Sequence, residues 1–234
     1  MHIGLIGGIG PAATISYYQR LSAAMRSEGH PLELTIVNAD VDTLLANNTA
    51  GDKRAQAQVY AGLIDRLKAA GADCAAITSL GGHFCFEETV PLSSLPLVSA
   101  VAPLDAFFVA KGYGTVGLLG TGVVMRTQLY GQLERTRAVE PDDIEGVGKA
   151  YTDMAIVGAC TDTQRAFFVE EGRKLIRDQG AQAIVLAGTD QNLAFDGRDV
   201  GYEVIDALDI HVDVLVALAT GRATLTDHSV GGSA

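Results

Sequence analysis

The chain has 234 residues, of which 48% are hydrophobic, so it can bury the core of one large α/β domain or of two smaller lobes. Its formal net charge is −11. This charge argues against binding to nucleic-acid phosphates, because such binding needs clustered Lys and Arg. The net charge does not exclude binding of small anionic ligands, since backbone N–H groups and helix N-termini can make a pocket locally positive.

The three cysteines are Cys74, Cys85 and Cys160. Their odd number and the absence of a C-x-x-C pair indicate neither a disulfide framework nor a structural zinc site. The N-terminal segment MHIGLIGG enters a strand directly, without the pattern of a signal peptide, and there is no run of 18 apolar residues. We therefore expect a cytoplasmic protein with no membrane segment.

Short apolar runs alternate with longer amphipathic segments along the chain. The predicted strands are residues 2–6, 34–37, 74–77, 97–99, 115–119 and 183–186. The predicted helices are residues 12–26, 53–69, 101–110, 126–136, 162–178 and 209–219. Near-continuous apolar strands between helices indicate α/β architecture with parallel sheets covered on both faces.

An internal repeat divides this pattern into two halves. IGLIGG at 3–8 aligns with VGLLGT at 116–121, and residues 71–79 align with 180–188. Extended without a gap, the first alignment sets Thr14 on Thr127, Tyr17 on Tyr130 and Gln19 on Gln132.

The repeat predicts two pseudo-symmetric Rossmann-like lobes, each a parallel sheet flanked by helices. The first lobe would be residues 1–98 plus about 208–222, and the second 99–207. The polar tail at 223–234 is expected to be flexible. Because ligands of open α/β sheets bind at the carboxyl ends of the strands, we expect the site between the lobes.

Two loops of the first lobe are candidates for ligand binding. Gly8 and Gly10 lie in a glycine-rich turn that lets the backbone approach a ligand, although the turn lacks the G-x-G-x-x-G spacing of a nucleotide site. The loop at 78–83 offers hydroxyl and backbone N–H groups for a carboxylate, or a cap for the next helix. His83 in this loop is either packed in the fold or a base.

The second lobe offers Thr121 after its first strand and Gly188, Thr189 and Asp190 after a later strand. Thr189 and Asp190 could orient a carboxylate or an amine, and Asp190 could equally cap the segment after it. His211, near the start of the last helix, either bonds Asp206 or lies near the site.

These motifs resemble the aspartate/glutamate racemase superfamily, which includes hydantoin racemase, maleate isomerase and arylmalonate decarboxylase. GLIGGIGP at 4–11 is similar to the opening G-I-L/I-G-G-M-G-P of aspartate racemases. SLGGHFCFEE at 79–88 falls on C-N-T-A-H-Y-F-Y-D-E, and GAQAIVLAGTD at 180–190 falls on G-A-D-x-V-I-L-G-C-T-E. VIDALDIH at 204–211 looks like V-x-D-x-x-x-x-H-A, and VGLLGT at 116–121 matches the strand that opens the second lobe.

The resemblance implies proton transfer at a substrate α-carbon between two cysteines, one from each lobe, without pyridoxal phosphate or metal. Here Ser79 and Gly188 stand at the two cysteine positions. A serine hydroxyl is a much weaker acid than a thiol, and glycine has no side chain, so these two residues argue against standard two-base racemisation. Another register would place Ile77 at the first position; the register with Ser79 also accounts for His83 and Glu88.

We therefore expect an atypical racemase-family isomerase that acts on a small amino or dicarboxylic acid with no cofactor. The candidate residues for proton transfer are Ser79, His83, Asp190 and His211. The candidate substrate-binding residues are Gly8, Gly10, Leu80, Gly81, Thr121, Gly188 and Thr189. Gly188 is expected to enlarge the site, and a homodimer is an option because family members are often dimers.

Three alternatives stay open. A decarboxylase or other lyase needs only one proton donor, so it tolerates an empty Gly188 side. A catalytically inactive homologue would bind a carboxylate without turnover. A dinucleotide-dependent oxidoreductase, with Asp40 on the ribose, fits the glycine spacing less well.

Overall fold

The computed structural model describes residues 1–8, 10–195 and 197–230. The chain divides into two compact units, Met1–Ala100 with His211–Ala234, and Val101–Ile210. The lobe bounds expected from the sequence, 98 and 207, lie next to these bounds.

The first unit contains a sheet with the strand order β2-β1-β3-β4-β9. Its strands are β1 (His2–Gly7), β2 (Glu33–Asn38), β3 (Cys74–Ile77), β4 (Leu97–Val98) and β9 (Ser229–Val230). Strands β1 to β4 are parallel, and β9 pairs antiparallel with β4. The helices are α1 (Pro11–Ser27), α2 (Val41–Ala50), α3 (Lys53–Ala69), α4 (Phe86–Thr89) and α11 (Leu225–His228), with 3₁₀ turns at Gly81–Cys85 and Val90–Leu92.

The second unit contains a parallel sheet with the strand order β6-β5-β7-β8. Its strands are β5 (Thr115–Gly120), β6 (Arg137–Val139), β7 (Ala183–Ala187) and β8 (Val204–Asp206). The helices are α5 (Leu104–Ala110), α6 (Gly122–Arg126), α7 (Ile144–Val157), α8 (Asp162–Gln179) and α9 (Asn192–Phe195), with 3₁₀ turns at Leu129–Gly131 and Thr189–Gln191. Helix α10 (Ala207–Ala219) begins in this unit and ends in the first. The predicted α/β class with two helix-flanked parallel sheets is confirmed.

Strands β3 and β7 are buried along their whole length, as expected for parallel sheets with helices on both faces. Two glycines at equivalent strand positions allow a helix to approach closely. A Cβ at Gly4 would lie 2.9 Å from Leu67 Cδ1 of α3, and one at Gly117 would lie 3.0 Å from Leu175 Cδ1 of α8. The repeated glycine is therefore explained by helix–sheet packing in each unit.

The helix predicted over 126–136 is wrong. Helix α6 ends at Arg126, and the next residues Gln128, Leu129 and Tyr130 have φ values of 49°, 58° and 61°. Consecutive left-handed residues cannot continue a right-handed helix. The pairing of Thr14 with Thr127, Tyr17 with Tyr130 and Gln19 with Gln132 therefore fails, because α1 is a helix of 17 residues there and α6 has only 5.

The segment expected to be a flexible tail has regular secondary structure in its described part, the helix α11 and the strand β9. Residues 231–234 lie outside the described residues. Within the residues described, no helix combines the length and the apolar composition needed to cross a membrane.

Candidate functional site

The glycine-rich turn after β1 is held by side chains of its own unit. Gly8 has φ +87°, and a Cβ there would lie 2.7 Å from the Ala39 carbonyl oxygen and closer still to the Asn38 side chain. Its N–H donates to Thr14 Oγ1 at 2.9 Å. Gly10 is the N-cap of α1, and its carbonyl accepts from the Thr14 N–H at 3.2 Å. The predicted binding residue Gly8 thus already uses its N–H within the fold.

The loop after β3 places Ser79, Leu80 and Gly81 in a buried position. Ser79 is 7% exposed, and its Oγ accepts from the Gly82 N–H at 3.2 Å. Within the described residues Ser79 Oγ makes no other hydrogen bond, so the hydroxyl can donate its hydrogen to a ligand. The capping role and the ligand-binding role expected for this loop are therefore compatible.

His83 links the backbone of two loops. Its Nε2 accepts from the Ala100 N–H at 3.1 Å, so its Nδ1 carries the proton and donates to the Ser79 carbonyl oxygen at 2.7 Å. Its ring stacks on Phe86 with a centroid distance of 5.1 Å. Burial lowers the pKa of His83 to about 4. The imidazole is therefore neutral, and both nitrogens have backbone partners.

His211 is fully buried, and its Nδ1 lies 2.7 Å from the Tyr17 hydroxyl. The two rings pack edge to face at 5.5 Å. Burial lowers the pKa of His211 to about 3. Tyr17, an interior residue of α1, is the partner that the sequence did not indicate; Asp206 instead accepts from the Leu208 N–H at 3.0 Å.

In the second unit, Thr121 caps α6 by accepting from the Val124 N–H at 3.4 Å. Gly188 follows β7 with φ −126° and ψ 120°, an extended conformation that any residue can adopt. A Cβ at Gly188 would nevertheless lie 2.7 Å from Tyr151 Cζ and 3.0 Å from Cδ2, with Cε2 nearer still. The aromatic ring thus fills the space that a side chain at Gly188 would need, and the enlarged site expected there is not present in this unit.

Tyr151, on α7, is hydrogen-bonded to the loop after β7. Its hydroxyl donates to Asp190 Oδ2 at 3.1 Å, and the Asp190 N–H points to the phenolic oxygen at 3.5 Å. Tyr151 is 5% exposed and Asp190 is 2% exposed. Burial, followed by the charge of Asp190, raises the pKa of Tyr151 well above its usual range.

Gln191, the next residue in this loop, is fully buried. Neither its amide oxygen nor its amide nitrogen has a hydrogen-bond partner among the residues that the structure describes. A buried amide in this condition is costly unless a ligand or water satisfies it. The loop after β7 therefore has unused hydrogen-bonding capacity next to Asp190.

Ser79 and Gly188 hold equivalent places in the two sheets. Each central strand pairs with its neighbour in the same register, with Ile6 opposite Ile77 and Leu119 opposite Leu186. Ser79 lies two residues after Ile77, and Gly188 lies two residues after Leu186. The strand pairing thus reproduces the alignment of 71–79 with 180–188.

A family model described as Asp/Glu/Hydantoin racemase matches residues 6–215. The chain belongs to this racemase family. The resemblance inferred from the motifs is thereby confirmed at the level of the family.

Solved structures agree with this membership in the racemase family. An aspartate racemase homologue from Pyrococcus horikoshii is 25% identical, with 94% of this chain and 99% of that chain covered and a TM-score of 0.76. A candidate Asp/Glu racemase from Yersinia pestis is 25% identical, with 94% and 100% covered and a TM-score of 0.79. The aspartate racemase of Picrophilus torridus is 19% identical, with 94% and 95% covered and a TM-score of 0.75, and shows the fold alone.

In this racemase-family chain, the structure brings together two groups of predicted residues. In the first unit, His83 contacts Ser79 in the loop that also contains Leu80 and Gly81. In the second unit, Thr189 and Asp190 follow Gly188 in the 3₁₀ turn after β7. Among the described residues, no group of three or more His, Cys, Asp and Glu side chains is arranged to hold a metal ion.

Proposed function

We propose that the chain is an isomerase of the racemase family that acts at the α-carbon of a small amino or dicarboxylic acid, without pyridoxal phosphate or metal. The family match over residues 6–215 is the observation that carries this proposal. It is supported by the similarity to an aspartate racemase homologue over nearly the whole of both chains. A cytoplasmic location is part of the same proposal.

Substrate binding is assigned to the loops at the carboxyl ends of the strands. The Ser79 hydroxyl has a hydrogen to donate, and a carboxylate oxygen is a strong acceptor for it. The other proposed binding residues are Gly8, Gly10, Leu80, Gly81, Thr121, Gly188 and Thr189. Donors aimed at the carboxylate would also stabilise the enediolate that forms when the α-proton leaves.

Proton transfer is assigned to Asp190 and to a water held by Ser79. His83 and His211 are neutral because burial lowers the pKa of each, to about 4 and about 3. The His83 nitrogens also have backbone partners, and His211 has Tyr17. We therefore give both histidines a positioning role, in which His83 orients the Ser79 loop.

A decarboxylase or other lyase of the same family is the second candidate. It is favoured by the absence of a thiol at both Ser79 and Gly188, because loss of carbon dioxide needs enolate stabilisation and one proton donor. An inactive carboxylate-binding homologue is the third. Asp40, the residue considered for a dinucleotide ribose, caps α2 by accepting from the Thr43 N–H at 2.7 Å, which explains it without a cofactor.

The test is to incubate the protein in heavy water with both enantiomers of aspartate and glutamate and with aryl-substituted and alkyl-substituted malonates. Deuterium at the α-carbon is followed by NMR, carbon dioxide release by a coupled assay, and ligand binding by melting shifts. Cα exchange that Ser79→Ala reduces by at least about 10²-fold would support the isomerase. The matched control is Ser93→Ala, a buried serine of the same unit that donates to the Leu95 carbonyl.

The outcomes separate the candidates. Carbon dioxide release without exchange of the amino acids would favour the lyase. Melting shifts with no exchange and no carbon dioxide would favour the inactive binder and refute the proposed enzyme.

A further inference from the structure

The ring of Tyr151, from α7, occupies the space that a side chain at Gly188 would fill. The ring carbon of Tyr151 that carries the hydroxyl, Cζ, lies 2.7 Å from the place of a Cβ on Gly188. In the register of the racemase-like motif, Gly188 stands where the second cysteine is expected. A phenol group is therefore present beside the position at which the family pattern has a thiol.

Hydrogen bonds to Asp190, and not ring packing alone, fix the direction of the Tyr151 hydroxyl. It donates to Asp190 Oδ2 at 3.1 Å, and the Asp190 N–H lies 3.5 Å from the same oxygen. Asp190 and its neighbour Gln191 are buried, and the Gln191 amide has no partner within the described part of the chain. The phenol thus lies against a loop whose buried polar groups have capacity for a ligand.

We propose that Tyr151 is a catalytic residue that donates a proton to one face of the substrate α-carbon, in place of the thiol that Gly188 cannot supply. The inference rests on the proposed function, since it names a donor for the same reaction. Once the water held by Ser79 has accepted the α-proton, or the carboxyl group has left as carbon dioxide, the electron pair left on the enediolate forms a new bond to hydrogen at the α-carbon. The phenolic O–H bond breaks, its electron pair stays on oxygen, and the phenolate takes a proton from water before the next turnover.

The role of the phenol depends on the reaction. A carbanion is so strong a base that even a weakly acidic phenol protonates it readily. In a decarboxylation, Tyr151 therefore acts as a proton donor alone. In the interconversion of two enantiomers, the reverse reaction uses the same groups, so the Tyr151 phenolate must also act as a base, and burial together with Asp190 makes that form costly because it raises the pKa of Tyr151.

The experiment compares the wild type with Tyr151→Phe, which keeps the ring and removes the hydroxyl. The matched control is Tyr202→Phe, which also removes a phenol from the second unit, where it donates to the Val169 carbonyl at 2.9 Å. Deuterium incorporation at the α-carbon is measured with the same panel of amino acids and malonates. We expect about a 10²- to 10⁴-fold loss of incorporation in Tyr151→Phe and less than about a threefold change in the control.

A second replacement distinguishes a catalytic role of Tyr151 from a purely structural one. Difluorotyrosine at position 151 keeps the ring and the hydrogen bond but lowers the phenol pKa, so a proton donor should shift the alkaline limb of the pH–rate profile to lower pH. A merely structural tyrosine would leave that profile unchanged. Melting temperatures of all variants show whether each has folded.

Folded Tyr151→Phe with incorporation within threefold of wild type would overturn the role of Tyr151 while the proposed function stands. An unchanged pH profile with difluorotyrosine would do the same. No turnover of the panel by the wild type would refute the proposed function, and the inference about Tyr151 with it.

Discussion

Replacing Gly188 by cysteine, which restores the residue that the family pattern predicts, should destabilise this protein. The backbone at Gly188 is extended, so a side chain causes no backbone strain, and removing a glycine alone would tend to stabilise by about 0.4–1 kcal/mol. The obstacle is steric, because the new Cβ would lie 2.7 Å from Tyr151 Cζ and 3.0 Å from Cδ2.

The magnitude follows from how firmly the ring is held. Tyr151 is 5% exposed, and its hydroxyl is hydrogen-bonded to Asp190, so the ring cannot swing into solvent without losing that bond. Overpacking of this kind costs about 1–3 kcal/mol. For a protein of this size we expect Gly188→Cys to lower the melting temperature by about 2–12 °C.

A double-mutant cycle measures the clash directly. In the background of Tyr151→Ala, Gly188→Cys should cost much less, with a coupling free energy of about 1–3 kcal/mol by urea unfolding. In the background of Tyr151→Phe, which keeps the ring, the cost should stay close to its value in the wild type. Gly188→Cys that is as stable as the wild type would refute the claim that the ring fills this space.

Three further predictions concern the first unit. Gly8→Ala should lower the free energy of unfolding by more than about 1 kcal/mol in urea titrations, because φ is +87° and the Cβ would meet Asn38. His83 has a pKa of about 4 in the folded protein and about 6.5 when unfolded. The unfolded state therefore binds more protons between these values, and stability should fall as pH drops from about 6.5 to 4, by up to about 3 kcal/mol for this residue. His211, with a pKa of about 3, adds to the slope, so His211→Gln should flatten the stability–pH curve, and an unchanged slope would contradict this account. Ser79→Cys should raise α-deuterium exchange above wild type, since a thiol is a stronger acid than a hydroxyl; a lower rate would argue against Ser79 as the first thiol position.

The sequence predicts the elements whose pattern is strong. Strand β3 is four buried apolar residues, and α3 repeats apolar residues at helical spacing, so both are predicted with the bounds observed. Helix α7 is missed because Gly146 and Gly148 lie in its first half, and glycine disfavours helix interiors. Helix α2 is missed because its asparagines and threonines are typical of loops, although Asp40 caps it.

The sequence predicts only those residues of the candidate site that come directly after the end of a strand. The equivalence of Ser79 and Gly188 can be predicted because the repeat fixes both positions along the chain. Tyr151 cannot, since it comes from the missed helix α7 and reaches Gly188 only through packing. The same holds for the Tyr17 hydroxyl on His211, because the two residues are 194 positions apart and no local signal joins them.

The path of the chain through the two units has a consequence for synthesis on the ribosome. The first unit needs residues from His211 onward, including the fully buried Leu215, whereas the second unit is complete at Ile210. Domains usually fold as units, in the order in which they emerge. Here the first unit can be completed only after α10 has been synthesised, so a chain truncated at residue 210 would contain every residue of the second unit but only part of the first.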